Sequence, residues 1–93
     1  MPKLQPRSVT VDYSTTHPLT YVYYIDPDTL AAPARKVLPN VLRGDKVAAD
    51  VDERGALLGI ELLDMAPETL ATARTLAEEY GAEFPAHLTA VPA

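Results

Sequence analysis

This chain has no cysteine and no tryptophan, and its only aromatic residues are five tyrosines and one phenylalanine. The absence of cysteine excludes disulfides, thiol nucleophiles and thiolate metal sites. Aromatics make up 6% of a chain that is 47% hydrophobic, so the core has to consist mainly of Leu, Val, Ile and Ala. Its 93 residues support one domain with one modest core. A core this thin favours self-association.

Long apolar segments are also missing from the sequence. No stretch approaches the roughly eighteen apolar residues of a membrane span, and no apolar run follows the positive charges near the N-terminus. We therefore expect a soluble cytoplasmic protein without a membrane partner.

Charge is distributed unevenly around a net value of −5. Residues 1–49 carry six Lys and Arg against four Asp, whereas residues 50–93 carry two Arg against nine Asp and Glu. The acidic second half repels phosphate backbones, so we do not expect nucleic acid as a partner. The exception would be a basic face formed by Arg35, Lys36, Arg43 and Lys46.

Alternating apolar and polar residues predict a series of short strands. The predicted strands are residues 8–13, 20–25, 35–38, 46–51 and 57–63, with the third the shortest. A helix is predicted from Pro67, since Leu70, Ala73, Leu76, Ala77 and Tyr80 recur at spacings of three and four. Gly81 is a natural stop for it.

These elements predict an α+β fold, a small antiparallel β-meander of four to five strands with one C-terminal α-helix packed on one face. We assign residues 8–81 to this single domain. Residues 1–7, with two prolines, are expected to be a flexible N-terminus, and residues 82–93 a C-terminal tail.

The segment from Asp50 to Asp64 supports two incompatible interpretations. Asp50, Asp52, Gly55 and Glu61 match the calcium-loop pattern D-x-[DN]-x-[DN]-G-x5-E, but Arg54 replaces its third ligand. Both flanks have the period of strands, whereas an EF-hand requires helices. A β-hairpin explains the segment better, with Asp52 opening the turn and Gly55 in the left-handed conformation.

The same segment carries a resemblance to a known family. Residues 50–64 resemble the signature of small bacterial and archaeal proteins grouped as domain of unknown function 2283, in which an aspartate and a glycine precede Gly-Ile-Glu-Ile-Leu. Tyr13, Tyr21 and Val22 match the family's other motif, whereas Ser14 and Pro18 stand where it has aspartates. The resemblance covers about residues 9–64. It implies a compact, mostly antiparallel β domain and supplies no catalytic residues.

Aromatic residues occur on both faces of the predicted second strand. Tyr21 and Tyr23 share one face, while Val22 and Tyr24 share the other. One face covers the core under the helix, and a second copy of the chain is the simplest cover for the other. Tyr21, Tyr23 and Tyr24 are therefore candidate interface residues of a homodimer. The alternative is ordinary exposure of amphipathic tyrosines.

No convincing catalytic constellation is present. His17 and His87 lie in a predicted turn and a predicted tail without a nearby nucleophile. We expect no enzyme, no cofactor and no resident metal, and interpret the chain as a non-enzymatic protein–protein interaction module. One alternative is an antitoxin-like inhibitor whose acidic half neutralises a basic partner. Another is a weak divalent-metal-binding protein or metal-dependent enzyme that uses Asp50, Asp52 and Glu61.

Overall fold

A computed structural model describes residues 3–14, 19–26, 28 and 41–89 of the chain. Within these residues five strands are followed by one helix. Their bounds are β1 Ser8–Asp12, β2 Leu19–Tyr23, β3 Val41–Arg43, β4 Val47–Val51, β5 Leu57–Leu62 and α1 Pro67–Glu79. The predicted α+β fold, an antiparallel sheet with one C-terminal helix, is confirmed. The strand predicted at residues 35–38 lies outside the described residues.

The five strands form one antiparallel sheet in the order β1-β2-β5-β4-β3. The first two strands form the hairpin β1–β2. The last three, β3, β4 and β5, pair in chain order. These two parts join where β2 pairs with β5. There Val22 lies opposite Ile60, which in turn lies opposite Ala49. β5 therefore occupies the centre of the sheet, and β1 and β3 are its edges among the described residues.

Helix α1 covers one face of the sheet and packs against β4 and β5. Its buried side chains include Leu70, Ala73, Leu76 and Ala77, and Tyr80 packs against the same core. The predicted apolar side of the helix is therefore confirmed. The sheet contributes two sets of paired residues to the core. Val22, Ile60 and Ala49 lie opposite one another in neighbouring strands, and so do Leu62 and Val47. Burial of this aliphatic surface is the main stabilising contribution.

Local hydrogen bonds define both ends of α1. Pro67 is at the first helical position, and the Asp64 carboxylate accepts hydrogen bonds from the Ala66 N–H at 3.1 Å and from the Thr69 hydroxyl. At the other end Gly81 has a φ of 68°. The Ala82 N–H donates to Ala77 O at 2.9 Å and the Gly81 N–H to Glu78 O at 3.0 Å, which is the Schellman arrangement.

Segments outside residues 8–81 also contact the domain. Leu4 forms a parallel bridge with Ala82. Its N–H donates to Gly81 O at 2.9 Å, and its carbonyl accepts from the Glu83 N–H at 2.8 Å. Ala82 and Leu88 are buried in the core, and Phe84 packs against it. The first and last described segments therefore lie side by side at the C-terminal end of α1.

Candidate interaction surface

Side-chain alternation along β2 places the candidate tyrosines on different faces of the sheet. Tyr24 lies on the α1 side, where it is 2% exposed and its hydroxyl donates to Glu83 O at 2.7 Å. Its predicted role at an interface is therefore wrong, because it follows Val22 on the core-facing side and the C-terminal segment covers it. Tyr21 and Tyr23 lie on the opposite face and are half-buried.

Tyr21 is held by a contact that spans three strands. Its hydroxyl donates to Asp50 Oδ2 in β4 at 2.6 Å. Between these two strands the Tyr21 ring lies over Gly59 in β5. A β-carbon added to Gly59 would overlap the ring and the hydroxyl of Tyr21. The Tyr23 ring lies beside it, with centroids 4.5 Å apart and planes inclined by 55°. Burial, and then the hydrogen bond to the Asp50 carboxylate, raise the pKa of Tyr21 well above its usual value.

Among the described residues, the most exposed apolar side chains on this face are leucines. Leu42 in β3 is 65% exposed, and Leu63, just after β5, is 40% exposed. Together with Ala48 they line a cavity of about 120 Å³, and its charged lining residues are Asp45, Lys46 and Glu61. We call this feature the Leu42–Leu63 groove. It offers an apolar centre with both signs of charge at its edge.

Sequence reasoning missed the Leu42–Leu63 groove, because it gave the open face to the tyrosines. Leu42 lies between the predicted strands at residues 35–38 and 46–51, so the sequence pattern does not place it on a sheet. One signal was available: Leu42 lies immediately before Arg43-Gly44-Asp45, so it belongs to a strand that ends in a turn.

Asp52 and Gly55 form the turn between β4 and β5. The Gly55 N–H donates to Asp52 O at 2.9 Å, and Gly55 has a φ of 80°. The Asp52 side chain accepts from the N–H groups of Arg54 at 2.9 Å and Ala56 at 3.0 Å. Aspartate suits the first position of such a turn, because its side chain accepts hydrogen bonds from these backbone N–H groups.

The three acidic residues considered for a metal site do not form one. Asp50 accepts the Tyr21 hydrogen bond, Asp52 caps the turn, and Glu61 lies opposite Tyr21 in the sheet register. Within the described part of the chain, no three His, Cys, Asp or Glu side chains are placed to hold an ion together. The calcium-loop interpretation of residues 50–64 is therefore wrong, since the segment is a strand, a turn and a strand.

Other residues considered from the sequence are dispersed. His87 lies in the C-terminal segment, whereas His17 lies outside the described residues, as do Arg35 and Lys36. Arg43 forms a two-pronged pair with Glu79 at the end of α1, with Nη2–Oε1 at 2.7 Å and Nε–Oε2 at 3.2 Å. The Arg43 guanidinium lowers the pKa of Glu79 below its usual value.

Comparisons with protein-family models, curated proteins and solved structures gave no match. The resemblance of residues 9–64 to domain of unknown function 2283 stays a prediction. Among the residues that the structure describes, no helix combines the length and the apolar character needed to cross a bilayer.

Proposed function

We propose that this chain is a non-enzymatic protein–protein interaction module that forms a homodimer through the Leu42–Leu63 groove. One observation carries the proposal. Two leucines that are 65% and 40% exposed lie beside one cavity, on the sheet face opposite α1. Exposed apolar surface that is contiguous and rimmed by polar groups is typical of interaction sites.

The charges on the rim favour a second copy as the occupant. Residue pairs repeat across a two-fold interface, so a charged patch that faces its own copy avoids repulsion only if it carries both signs of charge. The Leu42–Leu63 groove has Lys46 in the turn just before β4 and Glu61 on β5. In the proposed dimer, Lys46 of each chain faces Glu61 of the other, and the leucines pack between these pairs.

A binding role also agrees with how the acidic and phenolic groups are used. Asp50 and Tyr21 bond to each other, and Asp52 caps a turn. These contacts stabilise the fold and leave the groups poorly placed for proton transfer to a substrate.

Analytical ultracentrifugation tests the dimer. We expect a species of about twice the 10.1 kDa chain mass, and a shift to monomer in Leu63→Ser. Leu4→Ser is the matched control, because Leu4 is also 40% exposed but does not line the groove. A monomer at millimolar concentration would refute the proposal. So would equal effects of the two substitutions.

A charge exchange tests the proposed geometry. Lys46→Glu and Glu61→Lys should each weaken the dimer, because each places like charges across the interface. An equimolar mixture of the two variants should restore it, since both cross-chain pairs then have opposite signs. Failure of the mixture to associate would exclude the Lys46–Glu61 pairing.

A second candidate function is inhibition of a basic partner in the manner of an antitoxin. What favours it is the exposure of acidic side chains in the second half of the chain, at Glu53, Glu68, Glu78, Glu79 and Glu83. If a neighbouring gene encodes a protein that arrests growth, we expect co-expression of this chain to relieve the arrest. Glu78→Lys combined with Glu83→Lys should abolish the relief, whereas Leu63→Ser should preserve it. A neighbouring product that causes no arrest removes this candidate.

A further inference from the structure

The C-terminal half of α1 and the segment that follows it border an open groove of about 380 Å³. Arg74 and Glu78 line this groove from the helix, and Phe84 lines it from the following segment. That segment folds back along the helix, so that Arg74 Nη2 donates a hydrogen bond to Leu88 O at 3.2 Å. We call this feature the Arg74–Phe84 groove.

The Arg74 guanidinium is held in position by its neighbours. It lies over the Phe84 ring, with 5.8 Å between the guanidinium carbon and the ring centroid. Its hydrogen bond to Leu88 O uses one N–H, and a guanidinium has five. Residues four apart on a helix often pair, but no ion pair joins Arg74 to Glu78 in the described part of the chain. A positioned cation and an unpaired carboxylate therefore lie next to each other in the groove.

Two further charged side chains line the Arg74–Phe84 groove, Lys3 and Glu83. The parallel bridge between Leu4 and Ala82 brings Lys3 to this position. Neither of the two charged side chains forms an ion pair with a described residue. The groove thus carries two cations and two carboxylates, in a chain whose net charge is −5. Unpaired charges of both signs in one groove favour a ligand that also carries both signs.

The rest of the lining is apolar. Ala82, which is 1% exposed, and Ala86 lie beside the half-buried Phe84 ring. Cavities that bind small molecules usually measure about 300–1,000 Å³. A groove at the lower end of that range suits a ligand about the size of one or two amino acids.

We propose that the Arg74–Phe84 groove binds a small zwitterion, namely an α-amino acid with an apolar side chain. Arg74 binds the carboxylate of this ligand, Glu78 binds its ammonium group, and the ligand's side chain packs against Phe84. A single carbon separates the two charged groups of an α-amino acid, which matches opposite charges one helical turn apart. The site does not depend on the proposed homodimer, since no described residue lines both grooves.

Titration with L-leucine followed by amide NMR tests the proposal. Exposed ion pairs are weak, so we expect a dissociation constant in the millimolar range. N-acetyl-L-leucine lacks the ammonium group and L-leucinamide lacks the carboxylate, so each should bind about fivefold more weakly than L-leucine. Equal binding of either analogue, or no amide shifts at the solubility limit of L-leucine, would overturn the proposal.

Glu78→Gln tests the ammonium contact. The Glu78 side chain has no hydrogen bond or ion pair with a described residue, so this substitution breaks no contact of the fold. It should weaken binding of L-leucine about fivefold and leave binding of N-acetyl-L-leucine unchanged, because that analogue has no ammonium group. Glu53→Gln, at the exposed β4–β5 turn, is the matched control and should change neither. Equal effects of the two glutamine variants would contradict the assignment.

Arg74→Gln tests the carboxylate contact. It should weaken binding of L-leucine but leave binding of L-leucinamide unchanged. A purely structural role of Arg74, through Leu88 and Phe84, would instead weaken both ligands equally, and that result would exclude Arg74 from the site.

The position of the amide shifts locates the ligand. Shifts should concentrate in residues 74–78 and 82–86, and shifts confined to the Leu42–Leu63 groove would refute the proposed position. Leu63→Ser should bind L-leucine as the parent chain does, so failure of the homodimer and failure of this site give different results.

Discussion

The Tyr21 side chain lies across Gly59, and that contact lets a tyrosine in β2 reach a carboxylate in β4. The hydroxyl of Tyr21 donates to Asp50 at 2.6 Å, and the space that a β-carbon on Gly59 would need is occupied by the ring. A glycine in a strand interior usually weakens the strand, and an aromatic side chain packed over it compensates for part of that loss.

Gly59→Ala should displace the Tyr21 ring and break its bond to Asp50. We expect the free energy of unfolding to fall by about 1 kcal/mol, since the lost hydrogen bond outweighs the smaller backbone entropy of alanine in the unfolded chain. Urea denaturation followed by circular dichroism measures this change. In a Tyr21→Ala background the same substitution should be neutral or stabilising, because no ring remains to be displaced. Equal losses in both backgrounds would contradict the proposed contact.

Gly55→Ala tests the turn between β4 and β5. Gly55 has a φ of 80°, and no atom lies near its missing β-carbon, so the cost of a side chain there is backbone strain alone. We expect a loss of about 1 kcal/mol in the free energy of unfolding. Gly55→Asn is the matched control and should cost less, since asparagine tolerates the left-handed region. An asparagine variant less stable than the alanine variant would exclude this explanation.

Alkaline pH should destabilise the fold through Tyr24. Burial raises the pKa of Tyr24 to about 12, from an ordinary value of 10.0. The folded state therefore favours the neutral phenol. The contribution of this phenol to the free energy of unfolding is fully present below pH 10 and is lost as the pH rises towards about 12. Urea midpoints measured across this range should decline. Tyr24→Phe should show a shallower decline, and an identical slope in both proteins would rule out Tyr24 as the cause.

The pair between Arg43 and Glu79 should be visible in an acid titration. The hydrogen bond and charge of Arg43 lower the pKa of Glu79, so the pair's stabilising contribution is present above the ordinary value of 4.5 and is lost as the pH falls through the lowered pKa. Carbon NMR of the side-chain carboxyl groups measures this. Arg43→Gln should raise the pKa of Glu79 towards its ordinary value, whereas Arg54→Gln should not. A pKa of Glu79 that stays low in Arg43→Gln would show that another group sets it.

Much of the secondary structure follows from local patterns. The alternation from Val9 onwards predicts β1, and the recurrence of Leu70, Ala73 and Leu76 predicts the buried side of α1. Gly81 predicts where that helix ends, because only glycine adopts a positive φ without strain. These features depend on residues close together in the chain.

The candidate surfaces were less predictable. Alternation places Tyr21 and Tyr24 on opposite faces, but it does not indicate which face α1 covers, so it cannot separate the buried Tyr24 from the tyrosines of the open face. The exposure of Leu42 depends on β3 lying at an edge of the sheet. The burial of Leu88 in the core depends on the C-terminal segment returning to the sheet, and no local pattern in residues 85–89 predicts that return.

The sequence by itself determined β1, β2, β4 and β5, the β4–β5 turn, the helix and its buried side, because periodicity, proline and glycine act on the backbone over a few residues. Only the tertiary structure decided that β2 pairs with β5, that Tyr24 is buried, and that Leu42 and Leu63 line one groove. These outcomes depend on contacts between residues far apart in the chain. Such contacts are selected by the packing of the whole core, and no single segment encodes them.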